Sequence, residues 1–450
     1  MDVQLSTRRE YLDNRVNIIV SNAGFNFVIV VFLIQALMHD FIDILHLSFA
    51  FTMTKMFAVV FAGFVSLPNI NKISVGTRRI EYGWLVFGIV VLIYGNWDLR
   101  NGYWYVAFFY SVTVLLVFML SYSTNWINTF FDVLKIFTII HAIGTLLFFV
   151  FPSLYSLYRP IIYATSESPY LDGYKSGLTL HYSTNAVYLA QGLIVYFTEM
   201  ISNKKIIKKG LIPFILILFA LILTTKRAHL LFGVIVLFFI YYIQTGHFLR
   251  IIKFLFVGVL LLVGVYILAQ WIPEIGNALE RFTGGNLSDM TGRNYIYEAV
   301  YQLFSQNPIF GRGWNWFMYS DVSRFLSQKY NFIFVGTEYI QVHNVYLQLL
   351  LEVGIVGFVL LMFLFIKTLL VGLDLYRRLW RDNKLLDPIE SKFTLFSIGY
   401  QIFFLCYCMT GNPLYDTMVY IVYFFSCAVV IALRRKYSSL LTIDWRGGLD

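Results

Sequence analysis

"HNVYLQLLLEVGIVGFVLLMFLFIK", residues 343–367, decides the class of fold. From Val345 to Ile366 the stretch runs 22 residues with Glu352 as its single charge. At 1.5 Å per residue that is about 33 Å of helix, enough to cross a hydrocarbon core of about 30 Å. Polar residues mark both ends, His343 and Asn344 before the run and Lys367 after it. Asn344 has the side chain of a helix N-cap, and Gly354 and Gly357 would let a neighbouring helix come close. Glu352 lies about 13 Å further along the helix and on the opposite face from His343, so it cannot assist that imidazole. It is expected to pair with a buried cation such as Lys55 or Lys135, or to stay protonated.

Runs of the same kind recur along the chain. Of 450 residues, 59% are apolar and 13% charged, where soluble domains carry about 45–50% and about 25%. Apolar periods predict twelve spans, near 17–37, 44–67, 80–96, 103–122, 127–151, 178–199, 209–225, 228–245, 250–271, 345–366, 393–411 and 414–433. The expected fold is an all-α integral membrane protein, a single polytopic domain over residues 1–450. Met1 to Arg15 is polar and charged, so no cleavable signal peptide is expected. Cys406, Cys408 and Cys427 all fall within expected spans, which leaves neither a disulfide framework nor a zinc site.

Basic residues orient these spans. The termini and the loops on their side hold 22 Lys and Arg, whereas the other side holds ten, five of them in one long loop. Both termini are therefore expected in the cytoplasm. Most of the net charge of +9 is orientation signal, and no nucleic-acid partner is implied. Two outer segments are long, 152–177 and 272–344. The second has five basic and six acidic residues, so any anion site there needs individually placed arginines. Ile296, Val300, Leu303 and Phe304 follow helical spacing ahead of Pro308, which predicts a folded cap with amphipathic helices between spans nine and ten.

Three stretches carry candidate chemistry. His343 stands at the outer boundary, where an interfacial histidine satisfied by water or headgroups is the ordinary reading and a general base the sharper one. "TGRNYIYEAVYQLFSQNPIFGRGWNWF", residues 291–317, places Arg293 and Arg312 around the amphipathic helix. A guanidinium fork suits phosphate oxygens, although the acids of the same loop offer ordinary salt bridges. "TTKRAH", residues 224–229, puts Lys226 and Arg227 in a tight outer turn against the positive-inside tendency. "HDFIDILH", residues 39–46, aligns His39, Asp43 and His46 on one helical face. That spacing is compatible with a metal, but a polar hairpin explains it more simply. The outer segments lack a DxD motif, which argues against metal-assisted transfer from a nucleotide sugar, and no Gly-rich phosphate loop lies on the cytoplasmic side.

In chain order, "TTKRAH", the stretch from residue 291 and "HNVYLQLLLEVGIVG" together resemble the bacterial O-antigen polymerase and O-antigen ligase superfamily. The likeness is carried by residues 220–360, and "GLTLHYSTN" at 177–185 is similar to a weaker family pattern, with His181 and Asn185 at its polar positions. Lys226 departs from the pattern, since a small hydroxyl residue is common before Arg227. The resemblance implies a metal-independent glycosyltransferase without cofactor. It would move glycan from undecaprenyl pyrophosphate to an acceptor hydroxyl on the outer face of the cytoplasmic (inner) membrane. His343, Arg293 and Arg227 would be catalytic; Arg312, Lys226, Asn344, His181 and Asn185 would bind substrate. A chain-length regulator and a flippase of the same pathway would be partners. A polymerase is preferred to a ligase that loads lipid A core, because polymerases are the more diverse group. A relative acting on protein hydroxyls usually carries more C-terminal sequence than the roughly 17 residues expected here after span twelve. A transporter or lipid-linked-glycan flippase would instead show internal repeats and mid-membrane binding residues.

Overall fold

The structure, a computed structural model, describes residues 75–95, 102–114, 120–163, 173–202, 207–246, 293–329, 340–382 and 387–438, with scattered positions in 30–57 and 263–276. The helices among them, in chain order, are α1 (Val75–Tyr94), α2 (Gly102–Val114), α3 (Ile127–Val150), α4 (Pro152–Tyr163), α5 (Tyr182–Ser202), α6 (Ile207–Leu223) and α7 (Arg227–Thr245). They continue with α8 (Arg293–Gln306), α9 (Asp321–Lys329), α10 (Val345–Tyr376), α11 (Pro388–Tyr407) and α12 (Thr417–Lys436). The described residues form no strand, only an isolated bridge between Gly95 and Trp314. Among the described residues, four helices are long and apolar enough to cross a bilayer: Ile127–Val150, Arg227–Thr245, Val345–Trp380 and Thr417–Lys436. The protein is thus a helical membrane protein. The spans expected at 17–37, 44–67 and 250–271 fall largely outside the described residues, as do Lys55, His39, Asp43 and His46.

α12 lies at the centre, because a helix that is apolar on every side must be covered on every side. Its residues Val419 to Leu433 are buried. Phe424 meets Trp84 of α1 and Phe109 of α2, and Phe425 meets Trp126 and Phe130. Tyr423 stacks on Phe404 of α11 at 3.9 Å. α5 is also enclosed but more polar, and its polar groups find partners across the bundle. Gln191 donates to Tyr400 at 2.8 Å, and Glu199 pairs with Lys135 at 2.7 Å and with Lys392 at 3.5 Å. Lys135 is therefore unavailable to Glu352, which corrects that expectation. The ends of α10, α11 and α12 away from His343 gather further ion pairs, Asp374 with Arg378 and Arg434 and Glu390 with Lys436.

The cap expected over 272–344 is folded where it is described. Ile296 and Val300 of α8 bury against Phe317, Leu326, Ile340, Val342 and Leu351, with Leu303 and Phe304 packed beside them. The cap joins the membrane bundle through a break in α10. Gly354 sits at φ 66°, ψ −174°, inside an otherwise helical run, so the glycine interrupts the helix rather than merely thinning it. The chain around Gly311 fills the break. Arg312 N donates to Leu351 O at 3.1 Å and Gly313 N to Glu352 O at 2.7 Å, while Ile355 N and Val356 N donate to Pro308 O and Ile309 O. Irregular backbone at membrane depth is tolerated only where protein supplies such bonds.

Glu352 completes the joint. Fully buried, its carboxylate accepts from Asn315 N at 2.7 Å, Phe317 N at 3.1 Å, Gln348 Nε2 at 3.0 Å and Tyr415 Oη at 2.6 Å. Asn315 holds a left-handed φ of 63° to reach it. Glu352→Ala leaves those donors buried and unpaired and is expected to destabilise the protein by about 3–5 kcal/mol. A drop in the thermal midpoint together with faster proteolysis between residues 311 and 317 would register the loss. An unchanged midpoint would show that the carboxylate is not the joint.

Candidate functional site

Four helices present their N-termini to one region: α5, α7, α8 and α10. Each opens with a basic or imidazole side chain, His181 before α5, Lys226 and Arg227 at the start of α7, Arg293 as the first residue of α8, and His343 before the cap of α10. A cation at a helix N-terminus opposes the macrodipole by about 0.3–1 kcal/mol. Placing several there is unfavourable for folding alone, but it builds a strong positive potential.

His343 is the focus. Its backbone is left-handed, φ 56°, a conformation that is uncommon for a non-glycine residue and is concentrated at functional sites. Asn344 follows as N-cap, its Oδ1 accepting from Leu347 N at 3.1 Å, and Val345 N donates to Cys408 O at 2.9 Å. The backbone that follows the ring is thus fixed by the α10 cap and by the end of α11. Burial and the charges of Arg293, Lys226 and His181 push the His343 pKa from 6.5 down to about 3. The same interactions place Arg293, Lys226 and His181 within electrostatic reach of the ring.

The neighbours are fixed by local bonds. Arg293 Nη1 donates to Thr410 O at 3.4 Å. The Lys226 ammonium lies 4.0 Å from the centre of the Tyr182 ring, and the turn before it contains Thr225 at φ 57°. His181 stacks on Tyr182, and its Nδ1 accepts from Ser183 N at 2.9 Å, capping α5. An accepting Nδ1 leaves the neutral ring's proton on Nε2.

The other expected site residues make different contacts. Arg227 is exposed, and Lys226, one position earlier, is the cation near His343. Arg312 is anchored by its backbone to Leu351, about 12 Å along α10 from His343, and its guanidinium hydrogen-bonds Gln306 and covers Trp316 at 4.8 Å. The Asn185 amide is buried and ties α5 to Thr145 Oγ1 at 2.8 Å and Lys175 O at 3.0 Å. Its contacts are those of a scaffold residue, and the Asn344 oxygen is likewise committed to its cap. Sequence reasoning passed over Tyr182 and Thr410. Tyr182 adjoins the quoted His181, but nothing local in the sequence marks the turn after α11.

Fold and site together define a helical membrane protein with a cationic, histidine-centred cluster at its helix N-termini. Residues 212–362, about a third of the chain, match the family model described as O-antigen ligase. This match includes Arg227, Arg293, Arg312 and His343. No curated protein matches the sequence significantly.

Proposed function

We propose that the protein is a polysaccharide polymerase of O-antigen or capsule type. It transfers a growing glycan from undecaprenyl pyrophosphate to a lipid-linked repeat unit, at the outer face of the bacterial inner membrane. The observation that carries this reading is the convergence of Arg293 and Lys226 on His343 at four helix N-termini. Such a site binds a multiply charged anion, and a diphosphate leaving group needs charge stabilisation more than a proton. The acceptor hydroxyl attacks the anomeric carbon while the bond to the diphosphate oxygen breaks. His343 takes the hydroxyl proton, and undecaprenyl pyrophosphate departs against Arg293 and Lys226, with Arg227 at the rim. The chemistry asks for no metal or cofactor. Arg312 acts on the loop that fills the α10 break. A chain-length regulator and a flippase serve the same pathway.

A second reading, ligation to lipid A core, is favoured by the description of the matching family. Purified protein given lipid-linked repeat unit separates the two. A ladder of lengths supports the polymerase, whereas single transfer to lipid A core alone supports the ligase.

The pocket's charge gives a pH signature. With the His343 pKa near 3, the free enzyme keeps a neutral ring through mildly acidic pH. The acid limb of kcat/KM, which reports free enzyme, is therefore expected well below pH 6.5. A bound diphosphate offsets Arg293 and Lys226 and restores basicity, so the acid limb of kcat should lie at higher pH than that of kcat/KM. Stability follows the same sign. Unfolded chains bind the proton near pH 6.5 and folded ones do not, so stability falls as pH drops from 6.5 toward 3. A kcat/KM limb centred at 6.5 would contradict the cation-flanked ring.

A further inference from the structure

One buried imidazole takes no part in the chemistry above. His229 lies in the first turn of α7, three residues after Lys226, and is 2% exposed. Its ring lies 4.5 Å from that of Tyr407 and 6.4 Å from that of Phe403, centre to centre. Lys226 and His181, both beside His343, are within its electrostatic reach. Neither Nδ1 nor Nε2 has a hydrogen-bond partner among the described residues. A buried polar group without a partner is costly, and phenylalanine would fill the same place between Tyr407 and Phe403 without that cost.

We infer that His229 is a sugar-binding residue, its ring hydrogen-bonding a hydroxyl of the lipid-linked glycan held beside His343. A neutral imidazole offers one donor and one acceptor, which matches a hydroxyl. Diphosphate oxygens only accept, and Arg293 and Lys226 already face that need. The flat Tyr407 ring beside His229 gives a sugar an apolar face to lie on. This inference rests on the glycosyl-transfer reading above.

The test uses full-length protein in nanodiscs with lipid-linked repeat unit isolated from the source cell's membranes. His229→Phe keeps the packing and removes both polar atoms, whereas His229→Gln keeps a donor and an acceptor. His229→Phe is expected to fold with a thermal midpoint at or above wild type, and to lose kcat/KM by on the order of 100-fold. His229→Gln should recover at least about a tenth of wild-type kcat/KM. Undecaprenyl pyrophosphate, which carries no sugar, should raise the thermal midpoint of His229→Phe as much as that of wild type. The inference is overturned if His229→Phe transfers at nearly the wild-type rate, or if it no longer responds to undecaprenyl pyrophosphate. Failure to fold overturns it as well, because the ring would then have a partner inside the protein. A wild type that transfers nothing would instead refute the glycosyl-transfer reading itself.

Discussion

His343→Ala is expected to lower glycan transfer by about 10³- to 10⁴-fold, the upper range for removing a general base. The effect should appear in kcat, because the acceptor proton loses its destination while the diphosphate keeps its cations. Alanine is less readily accommodated than histidine at a left-handed φ of 56°. His343→Asn controls for this, since asparagine tolerates that conformation. Both variants should reach the membrane in normal amounts and retain binding of undecaprenyl pyrophosphate. Arg293→Ala should cost about 10²- to 10³-fold, in line with loss of one charge-stabilising donor. It should also weaken that binding. Transfer near the wild-type rate by either His343 variant, measured as polymer length and amount with purified protein, would remove the imidazole from the mechanism.

Gly354→Val is expected to prevent accumulation of folded protein. A Cβ at this position would collide with the carbonyl carbon and oxygen of Ile309, which are main-chain atoms bonded into the α10 joint and cannot rotate away. A Cβ on Gly311, at φ 70°, would likewise lie 2.5 Å from the Glu352 carbonyl. The two chains meet backbone to backbone, so even one methyl group must pull the cap from the helix. Added to the strain of a β-branched residue at φ 66°, the cost should exceed about 4 kcal/mol. That is a large part of a typical total stability of about 5–15 kcal/mol. Gly233→Ala is the matched control. It is likewise buried, but its backbone is helical and the nearest atom to its Cβ would be Leu193 Cδ2 at 3.6 Å, an ordinary contact. Its thermal midpoint should hold or rise, as alanine favours helix over glycine by up to about 1 kcal/mol. Equal behaviour of the two variants would mean that the α10 break is not tightly packed.

Much of this molecule was legible from local pattern. Hydropathy located α3, α7, α10 and α12, since an apolar run of about 20 residues has few other places to go. Helical spacing found α8, and the Asn344 cap was readable one residue before Val345. Composition did not show that Gly354 breaks α10, because its left-handed conformation depends on Gly311 arriving from about 40 residues earlier in the chain. Nor could it show that Glu352 holds backbone amides rather than a lysine, as Lys135 had first to meet Glu199 on α5.

The sequence by itself determined the helical class with its membrane-length apolar runs, the amphipathic helix α8 ahead of α10, and the set of basic and imidazole side chains proposed for the site. Those follow from solvation and from residues near in the chain. Only the tertiary structure decided which of them meet: it set Lys226 rather than Arg227 near His343, turned Arg312 toward Gln306 and Trp316, and enclosed His229 against Tyr407. These outcomes depend on how four helix N-termini converge, and residues far apart in the chain come together there only through packing.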